Sequence, residues 1–267
     1  MNKIKTVVIT GIVLLVIGVV GSLLTYQFMD YSAATKTEAV PSEQIVNVEI
    51  NADNENVTII PMNNTSEITV ELIESGLRKV ITELNLQVDG DTLTIETVKP
   101  KMFFYMNLFG DTRDLNVYVP EKVYHSLDVS LDNGKLEITD VKIGEIAANA
   151  DNGNIHIENL RTENITISLN NGNVHLSHVD GTITGNIDNG DFTVKTKSLD
   201  RTIDWKVDNG NIKIETETEP TNTVLDLQTK NGQISVFENS DWNTIIGAGE
   251  HLLKLRVNNG DIKIYNP

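Results

Sequence analysis

The sequence predicts an all-β chain, a parallel β-solenoid (β-helix) of about 19-residue repeats preceded by one transmembrane helix. Three observations carry this expectation. Seven copies of one short motif recur at near-constant spacing, apolar and polar residues alternate strictly around every copy, and the amino-terminal residues form a long uncharged run.

The motif is Asp, Asn or Lys followed by Asn-Gly-x-apolar-x-apolar. Its Asn-Gly pairs are Asn133-Gly134, Asn152-Gly153, Asn171-Gly172, Asn189-Gly190, Asn209-Gly210, Asn231-Gly232 and Asn259-Gly260, with glycines separated by 19, 19, 18, 20, 22 and 28 residues. Asp53 to Ile59 reads as an eighth, degenerate copy in which Glu55 stands where the others have glycine. Val129-Ser130-Leu131 before the turn and Leu136-Glu137-Ile138 after it show the period-two alternation of half-buried strands.

Asn-Gly supplies the positive backbone angles of a tight turn, and two architectures use it. In one, each Asn-Gly closes a two-residue hairpin, pairing Leu131 with Leu136 and Val129 with Ile138, and the resulting antiparallel meander closes as a barrel or sandwich. In the other, each period is one coil of a solenoid, and the asparagines of stacked coils form a ladder. A meander leaves one apolar face uncovered. A solenoid buries that face within itself, explains the period and tolerates the longer spacing before Asn258, so it is the preferred expectation.

Thr6 to Met29 carries no charge, which is long enough to span a bilayer, and Lys3 and Lys5 precede it. All 38 acidic residues lie at or beyond Asp30. Basic residues ahead of the run keep the short tail cytoplasmic and send the rest across the membrane. A cleaved signal peptide is the rival; its apolar region is normally shorter, about 7–15 residues. The organisation expected is therefore a cytoplasmic tip and anchor over 1–30, a linker over 31–44 and an extracytoplasmic repeat domain over 45–267. Gly11, Gly18 and Ser22 share one face of the anchor and would permit close packing with another helix, although ordinary anchoring accounts for them equally.

Composition excludes several classes of function. The 267 residues include no cysteine, so disulfides, thiolate catalysis and cysteine-bound metals are ruled out. A net charge of -17 argues against nucleic acid, whose phosphates need a concentrated basic face. No nucleophile elbow, phosphate loop, dinucleotide fingerprint or His-Glu-x-x-His motif occurs. No cofactor is expected.

The run Leu115-Asn116-Val117-Tyr118-Val119-Pro120, then Leu127 to Gly134 and the Asp-Asn-Gly-x-Ile-x-Ile units, resembles the bacterial putative-adhesin β-solenoid domain, a family without an assigned biochemical activity. With one anchor ahead of it, the chain resembles the LiaG-like membrane proteins of low-GC Gram-positive bacteria. The resemblance covers roughly residues 45–267. It implies a cell-envelope role linked to envelope stress and brings no catalytic residues with it.

His156 and His175 occupy the same repeat position and would stand about 4.8 Å apart on neighbouring coils. A metal ion could sit between them, but the matching positions Glu137, Thr193, Lys213, Ser235 and Lys263 read as a mixed polar outer face. Asp132, Asp151, Asp188 and Asp208 recur before Asn-Gly and would line up as a carboxylate row. Turn capping explains them better than calcium binding or glycoside hydrolysis, which needs two carboxyl groups with different pKa values across a cleft.

The most unusual segment is Lys101 to Gly110, which gathers Phe103, Phe104, Tyr105, Met106 and Phe109. It reads either as a cap over the open end of the solenoid or as an exposed loop contacting lipid or a partner protein. Glu238 to Leu252, with Trp242, Ile245 and Ile246, reads as cover for the other end. The function expected is non-catalytic binding or scaffolding at the cell envelope, with the membrane and an envelope protein or wall polymer as partners. The alternatives are a partner module of a membrane stress-sensing system and a wall-polysaccharide hydrolase or lyase.

Overall fold

The computed structural model describes residues 3–27, 32–76, 82–98, 112–238 and 244–267. A helix α1, Lys3–Gln27, is followed by β1 (Ser32–Pro41), β2 (Asn47–Ala52), β3 (Asn56–Met62), β4 (Glu67–Gly76), β5 (Glu83–Asp89), β6 (Thr92–Val98) and β7 (Thr112–Pro120). Next come β8 (Val123–Thr139), β9 (Lys142–Leu160), β10 (Asn164–Val179), β11 (Thr182–Asn189) and β12 (Phe192–Thr196). The chain ends with β13 (Ile203–Asn209), β14 (Ile212–Thr216), β15 (Thr223–Asn231), β16 (Ile234–Val236), β17 (His251–Asn259) and β18 (Ile262–Tyr265).

The Asn-Gly turns do not close hairpins. Residues on either side of each turn pair in parallel with the equivalent residues of the neighbouring coils: Leu131 with Ala150, Asn133 with Asn152 and Leu136 with Ile155. The next coil continues in the same register, Ala150 with Leu169 and Ile155 with Val174. The barrel or sandwich alternative therefore falls. One face of the stack is built by β2, the first halves of β8, β9 and β10, then β11, β13, β17 and β15. The second face is built by β3, the second halves of β8 to β10, then β12, β14, β18 and β16.

The degenerate copy takes its place as a full coil, with Val57 beside Leu136. The coil order departs from chain order at the far end. β17 lies between β13 and β15, so the last repeat of the sequence is inserted between the two that precede it. Thr244 to Ile246 then runs antiparallel along the outer edge of β15, with Leu225 N donating to Thr244 O at 2.8 Å and Ile246 N to Thr223 O at 3.0 Å. Trp242 lies outside the described residues.

At the other end the pairing turns antiparallel. β5 and β6 form a hairpin, β4 pairs with β7, and β1 pairs with β4 over its whole length from Ser32–Gly76 to Pro41–Glu67. Most of the segment expected as a linker over 31–44 is thus a strand. Its small and polar residues lack the apolar alternation that marks the other strands, because β1 adds to an existing edge through backbone hydrogen bonds.

The core is a set of apolar columns, one residue per coil. Val57, Leu136, Ile155, Val174, Phe192, Ile212 and Ile262 form one such column, all at most 2% exposed. Burying each such side chain contributes about 1.5–3 kcal/mol. The described side chains of α1 run only from 5 to 21, and they are all exposed. Among the described residues no helix is long and apolar enough to cross a membrane.

Candidate functional site

The turn residues singled out by the repeat form a continuous spine. Each Asn side chain donates to the carboxamide oxygen of the preceding coil: Asn133 to Asn54 at 2.8 Å, Asn152 to Asn133, Asn171 to Asn152, Asn189 to Asn171 and Asn209 to Asn189, each at 3.0 Å. The ladder then follows the spatial order of the coils, Asn259 to Asn209 at 2.8 Å and Asn231 to Asn259 at 2.9 Å. Glycine follows each of these asparagines except Asn54 because the coils are too close for a side chain. A Cβ on Gly172 would lie 1.6 Å from the Gly153 carbonyl oxygen, at a φ of +135°. Gly134, Gly153, Gly190, Gly210, Gly232 and Gly260 face their neighbouring coils in the same way.

Glu55 escapes this constraint at the start of the ladder. Its buried carboxylate accepts from Asp53 N at 2.9 Å, Asn54 N at 3.0 Å and Thr97 Oγ1 at 2.9 Å, tying the first coil to β6.

A second ladder, unread in the sequence, follows one residue after glycine. Asn173 N donates to Asn154 Oδ1 at 3.1 Å, Asp191 N to Asn173 Oδ1 at 2.9 Å, Asn211 N to Asp191 Oδ1 at 2.8 Å and Asp261 N to Asn211 Oδ1 at 3.0 Å. The recurrence of Asn or Asp at this one position was the available signal. Lys135, which has no acceptor, interrupts the row.

Beside the first spine, on the first face, lies an open groove of about 430 Å³. One row along it is Asn51, Ser130, Asn149 and Ser168, brought into line by the pairings of β2, β8, β9 and β10. The row nearer the spine is Asp53, Asp132, Asp151 and Asn170. At one coil per ~4.8 Å, the four coils cover about 14 Å. Asn170 Nδ2 donates to Asp151 Oδ1 at 2.7 Å, and Asn258 Nδ2 to Asp208 Oδ1 at 2.7 Å, so amides are interleaved among the aligned carboxylates.

Charge varies along the face. Burial, and then the Glu49 carboxylate on the next coil, raise the pKa of Asp128. Farther along, Lys254 bonds Asp204 at 2.7 Å and Arg256 bonds Asp226 at 3.0 Å. The groove is thus lined by amides, hydroxyls and carboxylates on one wall, a surface that can form many hydrogen bonds with an extended hydroxyl-rich chain.

On the second face, His156 and His175 stack with centroids 5.0 Å apart and rings 1° from parallel, as their repeat position predicts. Burial, then His156 and Lys195, lower the His175 pKa. His156 Nε2 also lies 3.6 Å from Glu158 Oε2. Among the described residues no group of three or more histidines and carboxylates is placed to hold a metal ion. Phe103, Phe104, Tyr105, Met106 and Phe109 lie outside the described residues.

A family model described as Toastrack DUF4097 matches twice, over residues 45–175 and 132–265. No curated protein matches the chain. Solved structures that resemble it include a "putative cell adhesion protein" of Clostridium sporogenes, at 11% identity and TM-score 0.44, covering 88% of this chain and 100% of that one. A "putative adhesin" of Bacteroides fragilis has 12% identity and TM-score 0.45, covering 88% and 97%. A "putative lipid binding protein" of Parabacteroides distasonis has 13% identity and TM-score 0.38, covering 87% and 96%.

Proposed function

The chain belongs to the Toastrack DUF4097 family, and on that premise we propose that it is a non-catalytic, membrane-anchored binding or scaffold protein of the cell envelope, holding an extended polymer along its first face. The observation that carries this reading is the alignment of Asn51, Ser130, Asn149 and Ser168 beside Asp53, Asp132, Asp151 and Asn170. A polymer lying across the coils meets the same kinds of donor and acceptor every ~4.8 Å, and the stacked backbone holds them in place before it arrives.

The groove's carboxylates support binding over cleavage. Three of them, Asp53, Asp132 and Asp151, share one row, and Glu96, paired with Asn51, ends the other, whereas glycoside hydrolysis needs two carboxyl groups set on either side of the scissile bond. The uncharged run Thr6 to Met29, which continues beyond the described side chains of α1, supports anchoring, and Lys3 and Lys5 ahead of it support a cytoplasmic amino terminus. The repeat domain then faces the outside of the cell, where wall polymers and envelope proteins are the available partners.

The test uses the full chain in nanodiscs, incubated with cell-wall polysaccharide fractions. Polymer should be retained. Ser130→Trp and Asn149→Trp, which fill the groove, should abolish retention, while Thr193→Trp on the second face should not. Equal retention by all three variants would overturn the reading.

A further inference from the structure

The coil of β17 and β18 fills a slot between the coil of β13 and β14 and the coil of β15 and β16. Residues 217–222 carry the chain from β14 to β15 past this slot, a step of two coil spacings, about 9.6 Å, where other neighbouring repeats step by one. The slot suits the last repeat better than the one before it. Leu253, Leu255, Val257, Ile262 and Ile264 are at most 2% exposed within it. In the coil at the end of the stack the matching residues include Leu227, Thr229 and Ile234, which are only half-buried. A stack needs its more polar coil outermost, so the more apolar repeat is drawn inside.

Nothing that holds the coil in the slot depends on its being joined to the same chain. Its bonds are those that any coil makes with its neighbours. Asn259 donates to Asn209 and accepts from Asn231, and Asn258 Nδ2 donates to Asp208 Oδ1 at 2.7 Å. Gly210 N donates to Asn259 O and Gly260 N to Asn231 O, both at 2.9 Å. The fourteen residues 237–250 join β16 to β17 and can reach up to about 46 Å when extended.

The exit from β16 is strained. In three earlier coils the chain leaves the second face through one residue with positive φ: Asp140 at 58°, Asn159 at 53° and His178 at 52°. After β16, Glu238 takes the equivalent position at 64°, and Phe237 before it adds a second positive φ at 50°. The Cβ of an L-residue crowds the following carbonyl in this region, which glycine, asparagine and aspartate tolerate best. Opening the exit to an extended conformation releases the strain, and a strained hinge favours exchange of the segment beyond it between copies.

We propose that the last coil, residues 251–265, is exchanged between two copies of this chain, each copy's coil filling the slot between β13 and β15 of the other. The exchange is reciprocal, so it closes as a two-fold dimer. The slot lies at the other end of the stack from the polymer groove, and the proposal stands independently of that reading.

The test exploits the absence of cysteine from the chain. Lys206 and Arg256 are register partners on the outside of the first face, and neighbouring strands ~4.8 Å apart bring two cysteines there within disulfide range. Full chains carrying Lys206→Cys or Arg256→Cys, with different tags, are co-expressed, transferred to nanodiscs and oxidised. A disulfide-linked dimer carrying both tags is expected, at least tenfold above the like-with-like links of either variant alone. Glu238→Gly, at an exposed position where glycine accepts the positive φ, should lower its yield several-fold. The double variant Lys206→Cys/Arg256→Cys should run as a covalent dimer before reduction and as a monomer after it. No mixed dimer above the like-with-like background, or a double variant linked wholly within single chains, would overturn the proposal.

Discussion

Gly185 is wedged between the Ile167 backbone and Trp205: a Cβ at position 185 would stand 2.2 Å from the Ile167 carbonyl oxygen on one neighbouring coil and 2.8 Å from Cζ3 and 2.9 Å from Cη2 of the indole on the other. Phe192 stacks on the same ring with centroids 3.7 Å apart and planes within 3°. The largest side chain of the core thus sits beside the residue with no side chain, in a column that also holds Val129, Ala148, Ile167 and Leu255. Gly185→Val should therefore destabilise by about 1–3 kcal/mol through overpacking. Trp205→Leu in the same chain should recover part of the loss, so the two changes are non-additive in urea unfolding. Additive losses would show that the Ile167 carbonyl, and not the indole, excludes the side chain.

The asparagine spine makes a position-dependent prediction. Asn171 both donates to Asn152 and accepts from Asn189, whereas Asn231, at the end of the ladder, donates only to Asn259. Asn171→Ala should cost about 1–3 kcal/mol and Asn231→Ala about half of that, as two ladder bonds, with a longer one of 3.4 Å to the Asp151 carbonyl, against one. Hydrogen exchange at coils flanking position 171 should accelerate more than at those flanking 231.

The histidine stack sets a pH dependence. Burial and the neighbouring His156 lower the folded-state pKa of His175 below its ordinary value of about 6.5. The folded protein therefore resists protonation, and stability is lost as pH falls from about 6.5 toward the depressed value. The melting temperature should drop over this range, and His175→Gln should remove part of the drop. In an NMR titration, His156→Ala should raise the His175 midpoint.

Asp200 acts at lower pH. Burial alone would raise its pKa, but hydrogen bonds from Asn222 N, the Thr221 hydroxyl and amide, and the Thr223 hydroxyl outweigh it and bring it to about 2. Its contribution is present above about 3.9, the ordinary carboxylate value, and is lost as pH falls through about 2. Asp200→Asn should destabilise the protein at pH 7 and flatten the acid limb of its stability profile between pH 4 and 2.

Anchoring has its own check. An arginine at the centre of a membrane helix costs about 2.5–3.5 kcal/mol on insertion scales. Leu14→Arg should shift the full chain from the carbonate-resistant membrane fraction toward the soluble fraction, and an unchanged distribution would remove the anchor from the account.

The parts of this fold legible in the sequence are those that repeat. Asn-Gly at a near-constant period fixed the coils and the spine, and alternation such as Leu136-Glu137-Ile138 separated core from surface, because each coil solves the same packing problem. Coil order was less legible. Asn259 can bond Asn209 or Asn231 with the same geometry, so the sequence motif does not say which coils adjoin. β1 was hidden because Ser32 to Pro41 buries little and is held by backbone pairing with β4. The polar groove was half visible: its aspartate row repeats, but the companion row of Asn51, Ser130, Asn149 and Ser168 is known only once the register is fixed.

The central claim is that the first face holds an extended wall polymer without cutting it. Its most direct measurement follows defined wall-polysaccharide fragments through a cycle of binding to and elution from the full chain in nanodiscs, with chain length determined by mass spectrometry before and after. The account predicts saturable retention, loss of retention in Asn149→Trp and fragments eluted at their original length. Shortened fragments, or retention no greater than on empty nanodiscs, would contradict it.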